Sequence, residues 1–183
     1  MSITTLGLLL QEVPYLGKKK ILKIFSPEHG LCTLFAPKIS LAPFCLAEWV
    51  FGKTAKEILP LKDAKLIDPL LHLRENYSIL TAAGAIAKDL LQTQMPNKRA
   101  PELFELALYY FKNLPSAPDI LSASFRLKLL LHEGLLSKDP DPTFTEEEWK
   151  QVQLLAFSRK LSVIQSVNTP PYGKIKDLFD ARF

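Results

Sequence analysis

The chain has 183 residues, 48% of them apolar, with 23 Lys and Arg against 19 Asp and Glu. That content can build a core and excludes a disordered chain, and the length allows one large domain or two small ones. The net charge of +4 permits an anionic partner without demanding one, and no uncharged run approaches the ~20 residues of a membrane span.

Up to Asp68-Pro69 the apolar residues follow the two-residue period of strands. A first strand is predicted from Ile3 to Val13, with Leu6, Leu8 and Leu10 on one face. A second runs from Lys19 to Phe25, placing Lys20, Leu22 and Ile24 on one side and Lys19, Ile21, Lys23 and Phe25 on the other. Ser26–Gly30 reads as a turn, since Pro27 presets φ and Gly30 relieves the exit. A third strand follows over 31–36, then a loop closed by prolines at both ends. Residues 44–51 form a fourth strand with Trp49 and Phe51 on the same face. A fifth, over 59–67, is weaker because Pro60 denies it a central place. Five short strands with turn punctuation predict a small barrel.

Beyond Pro69 the period becomes helical, and about five helices are expected. Asp68-Pro69 reads as a cap and first residue of a helix reaching about Gln94. Pro101 and Pro118 open two more, ending near Asn113 and Leu136. Thr145 and Glu148 have the spacing of a capping box for a fourth helix, with Trp149, Val152, Leu155 and Phe157 inward and a break at 168–171. A short helix over 174–182 closes the chain. The fold class is therefore α+β: a five-stranded OB-type barrel over 1–68, then an all-α domain over 69–183. With no flexible linker between them, the two are expected to pack on each other.

The chain contains none of the glycine-rich nucleotide loops, nucleophile elbows or His-Glu-x-x-His patterns that carry catalysis. The acids 146–148 complement a helix dipole and have no partner at catalytic spacing, so no enzyme is expected. Cys32 and Cys45 read as reduced, buried thiols, and three scattered histidines supply no zinc spacing, so neither metal nor cofactor is expected. An apolar start without a basic segment reads as a strand, not a signal peptide, and predicts a soluble, cytoplasmic protein.

Positive charge gathers toward the N-terminus, where residues 1–68 hold nine lysines against six acids. Lys18, Lys19 and Lys20 fall where an OB-type barrel joins its first two strands, and Lys53 and Lys56 fall in the loop joining strands four and five. Those loops flank the nucleic-acid face of that fold. Lys23 and Lys38 add to the candidate phosphate contacts, and Tyr15, Phe35, Trp49 and Phe51 offer rings on which bases can stack. The plain alternative is a solvated lysine loop with Trp49 and Phe51 in the core. In the helical part, Phe125, Arg126, Arg159 and Lys160 lie on largely apolar helices. They read as snorkelling side chains at the bundle rim, or as an apolar pocket edged by cations that suits an acidic tail ending in an aromatic.

Taken together, the layout resembles the bacterial recombination mediator RecO family. The residues that carry the resemblance are "LGLLLQEVPYLGKKKILKIFSPEHGLCTLFAPK", "SASFRLKLLLHEGLL" and the closing "GKIKDLFDARF". Their order and spacing matter more than any one of them. The resemblance implies an OB barrel with a helical domain, binding of single- and double-stranded DNA, and annealing of complementary strands. It also implies a complex with RecR, recognition of the C-terminal tail of single-stranded-DNA-binding protein, and loading of RecA onto coated gaps. Three departures stand out. Where many members carry a four-cysteine zinc module, this chain has only Ser137 to Phe144, without a cysteine. Ser124 replaces the basic residue common before the mid-domain Phe, and Ile175 replaces a small hydroxyl residue. The rival expectation is a protein-interaction scaffold with the same fold and weak nucleic-acid binding.

Overall fold

The computed structural model describes residues 2–37, 39–54 and 56–183. Its first half is a closed barrel of β1 (Ser2–Tyr15), β2 (Lys19–Ser26), β3 (Gly30–Ala36), β4 (Leu46–Gly52) and β5 (Ile58–Asp68). The order around the barrel is β1-β2-β3-β5-β4, and β4 pairs back onto β1. All pairings are antiparallel except β3 with β5, which run parallel over Thr33–Phe35 and Ile58–Pro60. This five-stranded closure fits an OB fold.

β5 is stronger than its proline suggests. It pairs with β3 as far as Pro60 and with β4 from Leu61 onward, so the missing N–H falls where the strand changes partners. β1 departs from simple alternation. Leu8, Leu9 and Leu10 are all buried, while Leu6 is 37% exposed. The reason is that β1 is covered on both sides: Leu9 joins Leu22, Ile24, Leu34, Ala47, Trp49 and Phe51 inside the barrel, and Leu8 and Leu10 join the helical core.

The second half contains six α-helices among the described residues: α1 (Tyr77–Thr93), α2 (Pro101–Asn113), α3 (Pro118–His132), α4 (Glu146–Phe157), α5 (Leu161–Gln165) and α6 (Tyr172–Arg182). α3 is the central one, touching α1, α2, α4, α5 and α6. The first helix starts later than predicted. The Asp68 carboxylate accepts a bond from Leu70 N at 2.9 Å, but Leu70 turns left-handed at φ 44° and only a single 3₁₀ turn follows. The cap that holds is Asn76, whose side chain accepts from Ile79 N at 3.0 Å. The capping box at Thr145 and Glu148 is present as expected. Its helix ends earlier, at Phe157, where the Lys128 ammonium donates to the carbonyls of Ala156 and Ser158 at 3.0 and 2.6 Å. A half-buried cation on the last carbonyls stabilises that stop.

Barrel and helices share one core, as Leu8, Leu10, Phe25 and Leu46 belong to the same buried cluster as Phe104, Phe111 and Phe125. Phe25 meets Phe104 at 6.1 Å and Phe44 stacks on Phe111 at 5.9 Å. The β2–β3 turn is clasped by the connection between α1 and α2. Asn97 N donates to His29 O at 2.8 Å, Ala100 N to Pro27 O at 3.0 Å, and Arg99 pairs with Glu28 at 2.9 Å.

Candidate nucleic-acid interface

The β1–β2 hairpin closes at the pair Tyr15 and Lys19, leaving Leu16, Gly17 and Lys18 as the turn. Gly17 takes φ 70°, which a side chain would resist, and Leu16 is 73% exposed at the tip. The hairpin holds Lys18 in solvent and directs Lys19 along the outer face of the barrel. There the Lys19 ammonium lies 5.8 Å from the centre of the Phe35 ring, and Tyr15 meets the same ring edge-on at 6.3 Å. Tyr15 is 48% exposed.

Tyr15 forms one wall of an open groove of about 520 Å³, floored by Ile21, Phe35, Ile58 and Pro60, and Lys19 lies beside it over the Phe35 ring. Its far wall is Thr54 and Lys56, from the β4–β5 loop. Strand alternation explains the arrangement: Leu22 and Ile24 turn into the barrel, so Lys19, Ile21 and Lys23 turn out. An aromatic and aliphatic floor between two lysine-bearing walls matches what a single nucleic-acid strand requires: π-faces for bases and cations for phosphates. Among the described residues Lys18, Lys19, Lys23, Lys53 and Lys56 have no carboxylate within 4.0 Å. Lys20 differs, since it pairs with Glu12 across the hairpin at 2.8 Å. Of the run, Lys19 is therefore the lysine set beside the groove over Phe35 without a carboxylate partner, while Lys20 is engaged by Glu12.

Several expected site residues lie elsewhere. Trp49 is no stacking platform. Alternate residues of β4 point into the barrel, so Trp49 is wholly buried and its indole N–H donates to the Gly7 carbonyl at 3.0 Å. Phe51 is buried in the same core. Lys53, at the start of the β4–β5 loop, lines a separate depression with His29. Lys38 lies outside the described residues. Ile21, Ile58 and Pro60 were not anticipated as groove residues. An isoleucine between two outward lysines on β2 was the available signal for the first.

The tail-pocket residues do not come together. Phe125 is fully buried, its ring 5.5 Å from that of Tyr110. Arg126 is engaged internally: it donates twice to the Asp89 carboxylate, at 2.9 and 3.0 Å, and its guanidinium covers the Phe179 ring at 5.3 Å. Burial pushes the Asp89 carboxyl up and the Arg126 bonds pull it down. Ser124 is also interior, accepting from the Tyr110 hydroxyl at 2.8 Å and donating to Leu155 O at 2.7 Å. A cation at that position would have no room to reach solvent. Arg159 and Lys160 are exposed between α4 and α5. An open apolar depression of about 530 Å³ lies nearby, formed by Leu154, Phe157 and Val163 with Lys138 and Lys150 on its rim.

Cys32 and Cys45 are free and buried, and burial pushes the Cys32 thiol up to about 11. Among the described residues no group of three or more His, Cys, Asp and Glu is placed to hold a metal ion, and no helix is long and apolar enough to cross a membrane. Residues 137–144 form a short connection in which the Asp141 carboxylate accepts from Thr143 N at 2.9 Å and meets Arg182 at 3.5 Å.

No family model matches the chain. Among curated proteins, DNA repair protein RecO of Chlamydia trachomatis serovar D is 31% identical over 147 residues, covering 74% of this chain and 60% of the relative. DNA repair protein RecO of Chlamydia muridarum is 31% identical over the same share of this chain and 62% of its own length. That of Chlamydia pneumoniae is 30% identical over 152 residues, covering 76% of this chain and 60% of the relative. The chain belongs to the RecO family. It spans about 60% of the length of the RecO proteins it matches.

Proposed function

We propose that this chain is a non-catalytic DNA repair and recombination mediator that holds nucleic acid in the groove between its β1–β2 and β4–β5 loops, without reading sequence. The observation that carries this is the Tyr15–Phe35 aromatic pair set between Lys19 and Lys56 on the outer face of an OB-type barrel. Bases would stack on Tyr15 and the exposed part of Phe35, at about 1–3 kcal/mol per base. Lys18, Lys19, Lys23 and Lys56 would neutralise phosphates of single strands, and the same cations would meet a duplex backbone. Annealing then needs no chemistry: two strands on basic surfaces lose their mutual repulsion, and base pairing completes the step.

Membership in the RecO family supports a cytoplasmic role in repair, with RecR as partner and the tail of single-stranded-DNA-binding protein as a docking segment in the loading of RecA. For an acidic tail with an aromatic end, Arg126 is unsuitable because it is already paired. The α4–α5 depression is the better candidate: Leu154, Phe157 and Val163 are apolar and Lys138 is on its lining, while Lys150 there is shared with Glu146 at 3.0 Å and Arg159 and Lys160 are exposed on the adjoining connection.

The test is anisotropy of labelled oligothymidine at low and moderate salt. Binding is expected, with log affinity falling by ~0.7 per phosphate contact for each unit of log salt. No binding at low salt would favour the second reading, a protein-interaction scaffold. That reading draws on the net charge of only +4 and on the pairing of Lys20 with Glu12.

A further inference from the structure

The groove does not end at the β4–β5 loop. Thr54 and Lys56, which form its far wall, also line a second depression of about 440 Å³ on the other side of that loop, together with Thr33, Glu57 and Asn97. Asn97 and Thr54 in turn line a third, of about 360 Å³, with His29 and Lys53. Thr54 lines all three, so they lie side by side along one path. It runs from the β1–β2 hairpin, past the β4–β5 loop, to the joint where the α1–α2 connection clasps the barrel. Its character changes on the way. The first section is lined mainly by Tyr15, Ile21, Phe35, Ile58 and Pro60; the later ones keep apolar side chains, Ile3, Leu31, Leu59 and Pro96, but add hydroxyl, amide, imidazole, carboxylate and ammonium groups.

We infer that a bound single strand continues past the β4–β5 loop and lays its sugar–phosphate backbone in this polar section, with Lys53, Thr54, His29 and Asn97 as its contacts. The inference rests on the groove being a nucleic-acid site. The charge and chemistry fit one occupant. Bases need π-faces, which the first section supplies, whereas a section that sets Thr33, Thr54, Asn97 and Lys53 among its apolar side chains offers donors to phosphate and sugar oxygens. A duplex is too wide and stiff to bend around a loop within so short a path. Asn97 is held at φ 61° with its backbone N–H on the His29 carbonyl, so its position is set by the fold. Glu57 is the one carboxylate on the path among the described lining residues, and it opposes the strand.

Two substitutions of opposite sign test this without disturbing packing. Asn97→Asp places a charge in the polar section at a residue whose backbone aspartate also tolerates. Glu57→Gln removes one. Binding of oligothymidines of ~4 and ~16 nucleotides, the limits of OB-fold site sizes, is compared near 0.15 M salt, where the Debye length is about 8 Å. Asn97→Asp is expected to weaken the long oligomer on the order of fivefold, and Glu57→Gln to tighten it similarly, with the short one unmoved by either. Equal effects on both lengths, or on neither, would overturn the continuation. Tyr15→Ala separates the two levels. If it weakens both lengths while the charge changes do nothing, the groove stands and its extension fails. If it weakens neither, the groove reading itself fails.

Discussion

At the scale of single residues, two aromatics expected to do the same job do opposite ones. Tyr15 is half exposed on the groove wall, and Trp49 is sealed inside the barrel with its N–H on Gly7 O. Tyr15→Ala should cost ~1–3 kcal/mol of oligothymidine affinity, about one stacked base, with the melting temperature almost unchanged. Trp49→Phe should do the reverse. It removes the indole bond to the buried Gly7 carbonyl and leaves a void, lowering stability by about 1–3 kcal/mol in denaturant titration while oligomer affinity holds. The lysine run is likewise not three equal charges. Replacing Lys18, Lys19 and Lys20 together by Ala should lower the slope of log affinity against log salt by ~1.4, nearer two phosphate contacts than three, because Glu12 already engages Lys20. A drop of ~2.1 would mean that nucleic acid displaces Glu12.

At the scale of elements, the joint between the β2–β3 turn and the α1–α2 connection depends on Gly30. It sits at φ 62°, and a Cβ there would fall against the Met95 carbonyl and 2.6 Å from that of Lys98. Gly30→Ala should therefore cost well over the ~1 kcal/mol of the left-handed conformation alone, seen as a lower denaturation midpoint. The turn itself was legible in the sequence, since Pro27 and Gly30 are turn chemistry, and so were the strand periods and the Thr145–Glu148 cap. What the sequence hid were choices between equally good local signals. Asp68-Pro69 and Asn76 both look like helix starts, and the left-handed Leu70 decides for Asn76. Alternation put Trp49 and Phe51 on one face but said nothing of whether that face is the inside of the barrel, which only closure of β4 onto β1 determines. Arg126 looked free because its partner Asp89 is 37 positions away, a pairing made by α1 packing on α3. Of the groove, both lysine walls were readable from loop position, while the floor at Ile58 and Pro60 needed the parallel pairing of β3 with β5.

At the scale of the molecule, the barrel has too few residues of its own to hide its surface, and the helices complete it. Leu8, Leu10, Phe25 and Leu46 point outward from the barrel into the core that Phe104, Phe111 and Leu73 build. An isolated barrel would expose that whole apolar patch, so the two parts should lose their structure together. The two tryptophans make this measurable, since Trp49 lies inside the barrel and Trp149 on α4 against Phe144. In a Trp149→Phe variant, fluorescence follows the barrel through Trp49 while far-ultraviolet circular dichroism is dominated by the helices. The shared core implies one cooperative transition, with coincident midpoints by the two probes. Phe104→Ala should lower both midpoints together, by about 3–5 kcal/mol in stability, because its ring is buried against the barrel residue Phe25. Two separated transitions would mean that the barrel stands alone. The groove would then lie on an independent module, and the clasp at Gly30 would be a docking contact between two folding units.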